Sequence, residues 1–164
     1  MKPVYVLLLV LALSSCIQNI SSENEYEARV VRVVDGDTFY AEVNGRTIKV
    51  RILGIDAPEL KAEGNKPHEY GEITNLTCLA EWGRKAKSYL RERIEGKTVL
   101  IEIVGRDKYG RFLAYVYHDS VDLAEEMLKL GYARVFVSDF EKLEEYLEYQ
   151  SFAVERKLGL WSCN

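Results

Sequence analysis

The chain has 164 residues, of which 48% are apolar and 29% charged, with a formal net charge of −4. That balance is ordinary for a soluble globular domain with one core, and it excludes low-complexity and collagen-like classes. Mild acidity argues against coating by nucleic acid over a broad surface, but a local cleft can still focus positive charge on an acidic body.

The first residues do not read as part of the folded body. Lys2 precedes an unbroken apolar run from Val4 to Leu13, followed by Ser14, Ser15 and Cys16. The run is too short to span a bilayer but suits the apolar region of a signal peptide. Leu13-Ser14-Ser15-Cys16 resembles a bacterial-type lipobox, in which a peptidase cuts before a lipidated cysteine. A plain secretion signal shares the small residues before its cut site. The division adopted is a lipoprotein-type signal over residues 1–15, a lipidated Cys16 with a polar tether over 16–26, and a folded domain over 27–164. The expected location is therefore outside the cytoplasm, on a membrane through the lipid anchor, with free secretion as the alternative.

Two cysteines remain, Cys78 and Cys163. Export makes a disulfide between them permissible, and two unpaired thiols fit the sequence equally well. Their spacing matches no zinc motif, and only His68 and His118 could add imidazole ligands.

From Arg29 to Ile55 the pattern is that of strands. Val31, Val33, Phe39, Ala41 and Val43 mark an approximate period of two, continued by Ile48, Val50 and Ile52. Asn44-Gly45 between them is a strong hairpin signal that suits a type I′ turn. Leu60 to Thr77 is a long, mostly polar stretch without periodicity, which in a compact domain is functional or mobile. Leu79, Trp82, Ala86, Leu90 and Ile94 recur at helical spacing, and Gly96 closes that helix. Val99, Ile101 and Ile103 alternate as a strand, and a tight turn at Gly105–Gly110 leads into another from Phe112 to Tyr117. Asp122 with Glu125 three residues on resembles a capping box for a helix that should bury Leu123, Met127 and Leu130 and end at Gly131. A short strand follows over Ala133–Val137. A last helix is predicted from Asp139, with Phe140, Leu143, Leu147 and Val154 on its buried stripe. With the run after Asn44-Gly45 split near Gly54, five short strands and three outer helices fit an α+β fold built on a small closed barrel of the OB type, an architecture that binds oligonucleotides.

Three clusters carry chemistry: Asp35-Gly36-Asp37-Thr38, the stretch from Arg51 to Glu59, and Asp107-Lys108-Tyr109-Gly110-Arg111. Singly, each has an ordinary explanation as a solvated turn, a rim arginine or a polar strand exit. Together they supply carboxylates and arginines suited to phosphodiester hydrolysis: oxygen ligands for a hard cation, a base and cationic clamps. Pro58 restricts Ala57 and so limits where the Ala57 carbonyl points.

With these motifs in type, order and spacing, the chain resembles the staphylococcal nuclease family from about Glu27 to Trp161. The resemblance implies a Ca²⁺-dependent nuclease domain over 27–164 that acts on DNA or RNA and leaves 3′-phosphate and 5′-hydroxyl ends. It implies that Asp37 and Asp56 hold the metal with the backbone carbonyl of Ala57, and that Glu59 activates the attacking water. Arg51 and Arg111 match the family's phosphate-binding arginines, and Lys108 and Tyr109 match its contacts to a nucleotide's terminal phosphate. Where the family has a nucleotide-stacking tyrosine, this chain has Val137, with Phe136 beside it. No protein partner is implied, so a monomer is expected.

The hairpin carries one structural condition. A two-residue turn at Asn44-Gly45 pairs Thr38 with Arg51, and strict alternation then puts Asp37 and Arg51 on opposite faces. If both serve one site, the first strand must bend or bulge near Gly36.

Overall fold

The computed structural model describes residues 24–136 and 138–163. The signal reading, Cys16, the tether up to residue 23 and Val137 therefore lie outside the described residues, whereas Glu25 and Tyr26, read as the end of the tether, are paired with Glu102 and Ile101 in the first strand. In chain order the strands and helices are β1 (Glu25–Val33), β2 (Thr38–Val43), β3 (Arg46–Ile52), β4 (Ile55–Asp56), α1 (Leu76–Ile94), β5 (Thr98–Arg106), β6 (Phe112–His118), β7 (Val121–Asp122), α2 (Leu123–Lys129), β8 (Arg134–Val135) and α3 (Leu143–Glu155). Single 3₁₀ turns lie at Ala62–Gly64 and Gly159–Ser162.

The hairpin forms as its turn dictates. Asn44 and Gly45 take φ values of 49° and 75°, the pair of left-handed residues that a type I′ turn needs. The resulting register places Thr38 opposite Arg51. β1 pairs with both β2 and β5, and β5 pairs with β6, all antiparallel. A parallel pairing of β3 with β6, Val50 opposite Phe112 through Ile52 opposite Ala114, closes the sheet into a barrel. Closure removes the exposed sheet edges that would otherwise invite association. The five-stranded OB-type barrel and its three helices match the α+β architecture expected.

Several details differ from the sequence reading. Val31 is half exposed, whereas Val30 and Val33 are buried. An irregular register between Val30 and Arg32 inserts one residue and reverses the alternation there. Leu130 lies past the end of α2 as its cap, so it is exposed. The last helix begins at Leu143 rather than Asp139, since Phe140 packs on Tyr146 and against Gly54 instead of entering the helix. Its buried residues are Tyr146 and Ala153, and Val154 faces out. The strand expected over Ala133–Val137 is the two-residue β8, which pairs with β4.

The long polar stretch is packed, not loose. Tyr70 and Ile73 enter a second small core with Leu79, Leu160 and Cys163. In the same cluster Cys78 and Cys163 form a disulfide with their Cα atoms 5.7 Å apart, so the pairing left open by the sequence is made.

Candidate active site

Asp37 reaches the site because the chain bends before β2. Asp35 Oδ1 accepts the Asp37 N–H at 3.1 Å, and the Asp37 carbonyl accepts from Ile52 N at 2.9 Å. Gly36 is required at that bend, since a Cβ there would lie 2.5 Å from Ala57 Cβ and 2.8 Å from Ala86 Cβ. The condition set by the hairpin register is thereby met, with Asp37 and Arg51 in contact.

Arg51 bridges two acids. Its Nη1 donates to Asp37 Oδ1 at 3.0 Å, and its Nη2 donates to Asp56 Oδ1 at 2.8 Å and to the Ile55 carbonyl at 3.2 Å. The Asp37 carboxylate also accepts from the Thr38 hydroxyl at 2.8 Å and, through Oδ2, from the Ala57 N–H at 2.9 Å. Burial pushes the Asp37 carboxyl up to about 7, with Asp35 adding to the shift, while Arg51, the Ala57 N–H and the Thr38 hydroxyl oppose it. An acid so destabilised in its charged form is short of positive charge.

Glu59 stands at the mouth of the site. Its carboxylate makes no hydrogen bond or ion pair among the described residues, which leaves it available to solvent or substrate. Burial raises its pKa above the ordinary value, and Asp35, Asp56 and Glu69 raise it further against Arg51. Helix α1 approaches this strand exit closely because Gly83 has no side chain. A Cβ there would lie 2.4 Å from the Pro58 carbonyl oxygen.

The third cluster lines the same cleft. Asp107 Oδ2 accepts from Arg111 Nε at 2.7 Å, and its Oδ1 accepts the Tyr109 and Arg111 N–H groups at 2.9 and 3.0 Å. Tyr109 is 73% exposed, with Lys108 Nζ 5.1 Å and Arg111 Cζ 5.6 Å from its ring centre. Arg51, Asp56, Glu59, Lys108, Tyr109 and Arg111 all line one open cleft of about 910 Å³, with Asp37 beneath Arg51. Phe136 lines it too.

Other residues at the site were not singled out from sequence. Arg134 donates to Asp56 Oδ2 through Nε at 3.1 Å and Nη2 at 3.0 Å, and Tyr70 reaches the same oxygen at 3.4 Å. Asn65, buried in the long loop, bonds both backbone groups of Glu59. No local pattern marks Arg134 or Asn65. Asp107, already part of the third cluster, has in addition an arginine four positions on, a spacing that suits the side-chain turn it makes here.

Among the described residues, no three acidic, histidine or cysteine side chains converge as a ready-made metal cage. The donors nevertheless fit a hard cation chemically. Asp37 and Asp56 offer carboxylate oxygens bridged by a single guanidinium, and Asp35, Glu59 and Glu69 add negative charge that the site's arginines do not balance.

The sequence model for staphylococcal nuclease homologues matches residues 49–163, most of the chain. The chain belongs to this family. Among its relatives, an uncharacterized protein of Methanocaldococcus jannaschii is 42% identical over 156 residues, covering 87% of this chain and 75% of its own length. A protein of Staphylococcus hyicus named thermonuclease is 31% identical over 147 residues, 87% of this chain and 80% of the relative. A prophage-derived endonuclease of Bacillus subtilis is 34% identical over 139 residues, 81% of this chain, which spans 43% of that longer protein. The family's match begins at Lys49, so it takes in Arg51, Asp56, Ala57, Glu59 and the whole third cluster. Asp37 lies before the matched segment and joins the site through its contact with Arg51.

Proposed function

We propose that this staphylococcal nuclease homologue is a Ca²⁺-dependent nuclease that hydrolyses phosphodiester bonds in DNA or RNA to 3′-phosphate and 5′-hydroxyl ends. The observation that carries this is the single cleft in which two arginines, Asp56, the unengaged Glu59, Lys108 and Tyr109 meet above Asp37. Relatives named thermonuclease and endonuclease support the same reading.

Asp37, Asp56 and the Ala57 carbonyl would hold the cation, which when bound supplies Lewis-acid stabilisation of charge on the phosphate. Glu59 takes a proton from water as its oxygen attacks phosphorus. The bond from phosphorus to the 5′ oxygen breaks, and that oxygen leaves with the electron pair and gains a proton. Arg51 and Arg111 bind the equatorial oxygens, their planar forks matching phosphate geometry. Lys108 and Tyr109 contact the terminal phosphate of the nucleotide. Upstream, residues 1–15 direct export and Cys16 carries the lipid that holds a monomer at the membrane.

The test uses the protein without its leader, incubated with single-stranded DNA, duplex DNA and RNA, each with calcium, magnesium or chelator. Cleavage in calcium and none with chelator is expected. Full activity in magnesium alone would overturn the metal assignment, because Mg²⁺ demands a rigid octahedron with shorter bonds. Binding without cleavage would instead mark a catalytically silent OB module. For export, Cys16→Ser should release the protein from membranes, and equal retention would sink the anchor.

A further inference from the structure

The acids assigned to the metal belong to a longer chain of alternating charge. Asp37, Arg51, Asp56, Arg134 and Glu69 follow one another through ion pairs of 3.0, 2.8, 3.0 and 3.5 Å. Arg134 sits on β8 directly opposite Asp56 on β4, so the register of this small sheet holds the two together. Its third nitrogen, Nη1, donates to the Glu69 carbonyl at 2.6 Å, and its guanidinium lies 4.9 Å from the Tyr70 ring centre. Tyr70 is buried in the small core that contains Cys163, so the loop that grips Arg134 is itself anchored.

The two oxygens of Asp56 consequently differ. Oδ2 accepts two Arg134 N–H groups and the Tyr70 hydroxyl, whereas Oδ1 accepts from Arg51, a residue that lines the cleft. We infer that Arg134 is a positioning residue that withholds Asp56 Oδ2 from the divalent cation and leaves Oδ1 alone to bind it. This rests on the calcium reading above. The chemical consequence follows from coordination number. Calcium takes six to eight oxygens, and each carboxylate held to one oxygen leaves a place for water or a substrate phosphate. Arg134 also places a charge that never titrates beside a cation ligand, which opposes cation binding directly. Calcium affinity is thus lowered in exchange for open coordination positions, and Asp56 is kept in one orientation three residues before Glu59.

The test is calorimetric titration of calcium into the metal-free mature protein without substrate, alongside kcat, KM and thermal melting. Arg134→Gln should bind calcium more tightly, on the order of tenfold in Kd, with kcat reduced more than KM is changed. A purely structural role would do the opposite, weakening calcium binding as the fold loosens. Arg134→Met keeps the apolar stem over Tyr70 and should give the same tightening if the glutamine variant does not fold. Arg134→Lys restores the charge and should return Kd to within about twofold of the wild type. Unchanged or weaker calcium binding in a folded neutral variant overturns the inference while leaving the calcium reading intact. Absence of calcium binding in the wild type overturns both.

Discussion

Asn65 brackets the backbone of Glu59. Its Oδ1 accepts the Glu59 N–H at 2.9 Å, and its Nδ2 donates to the Glu59 carbonyl at 3.1 Å and to the Lys61 carbonyl at 3.0 Å. An amide is the one neutral side chain that accepts at one atom and donates two hydrogens from another, and Asn65 is only 4% exposed. Asn65→Ala strands three backbone groups, so a stability loss of about 1–3 kcal/mol is expected. Turnover should fall as Glu59 loses its fixed position, with calcium Kd little changed. Denaturant melts and steady-state kinetics check both, and wild-type turnover in the folded variant would remove Asn65 from any positioning role.

Glu59 should set the acid side of the pH–rate profile. In its proposed role as base Glu59 must be ionised, so activity is lost as pH falls through its pKa, which in the metal-free protein burial and then Asp35, Asp56 and Glu69 hold above the ordinary 4.5. Glu69→Gln removes one of those charges and should move the acid limb of kcat/KM to lower pH. Glu59→Gln should lower turnover at every pH while affecting calcium binding less. An acid limb unmoved by Glu69→Gln would show that another group governs it.

Asp37 gives a stability signature in the metal-free protein. Its folded value is raised from 3.8 to about 7, with burial the main cause, so the native state holds this proton more tightly than the unfolded chain. Between those two values stability must therefore fall as pH rises, and the loss is complete above the upper one. Asp37→Asn should flatten that part of the dependence of Tm on pH and also weaken calcium binding. Scanning calorimetry across the window with chelator present decides the first point, since an identical pH slope in the variant would refute the assignment.

The two arginines should tolerate lysine poorly. Arg51 divides its fork between Asp37, Asp56 and the Ile55 carbonyl, and Arg111 is aligned by Asp107. Lysine keeps the charge but cannot divide its donors as Arg51 does, nor bond Asp107 through one nitrogen and present a planar fork as Arg111 does, so each substitution should cost on the order of 10²-fold in kcat. Asp107→Ala leaves Arg111 charged but unaligned and should show a smaller loss of the same kind. Near-normal kcat in Arg51→Lys would reduce its role to charge alone.

Reduction of Cys78–Cys163 should lower Tm. The two residues are 85 apart in sequence, and in the chain-entropy model a loop of that length contributes roughly 4.5 kcal/mol. The double variant Cys78→Ser, Cys163→Ser should melt at the lower temperature whether or not a reductant is added. Identical melting of oxidised and reduced wild type would show that the small core holds without the bridge.

Features written in neighbouring residues or in constant spacing could be read directly from the chain. Asn44-Gly45 specified the turn and thus the Thr38–Arg51 register, Asp122 specified the start of α2, and the motifs from Asp35 to Arg111 named the family. Local steric preference and side-chain hydrogen bonds within a few positions suffice for these. Tertiary structure decided whatever depended on a partner far along the chain. Arg134 meets Asp56 across 78 positions, and Cys78 meets Cys163 across 85. The reversal of phase at Val31 follows from the β1–β2 register and not from any feature of Val31 itself. Phe140 likewise has helical spacing with Leu143 and Leu147, but packing against Gly54 and Tyr146 keeps it outside α3. Periodicity records which residues want burial, whereas the surface available to bury them exists only once the barrel has closed.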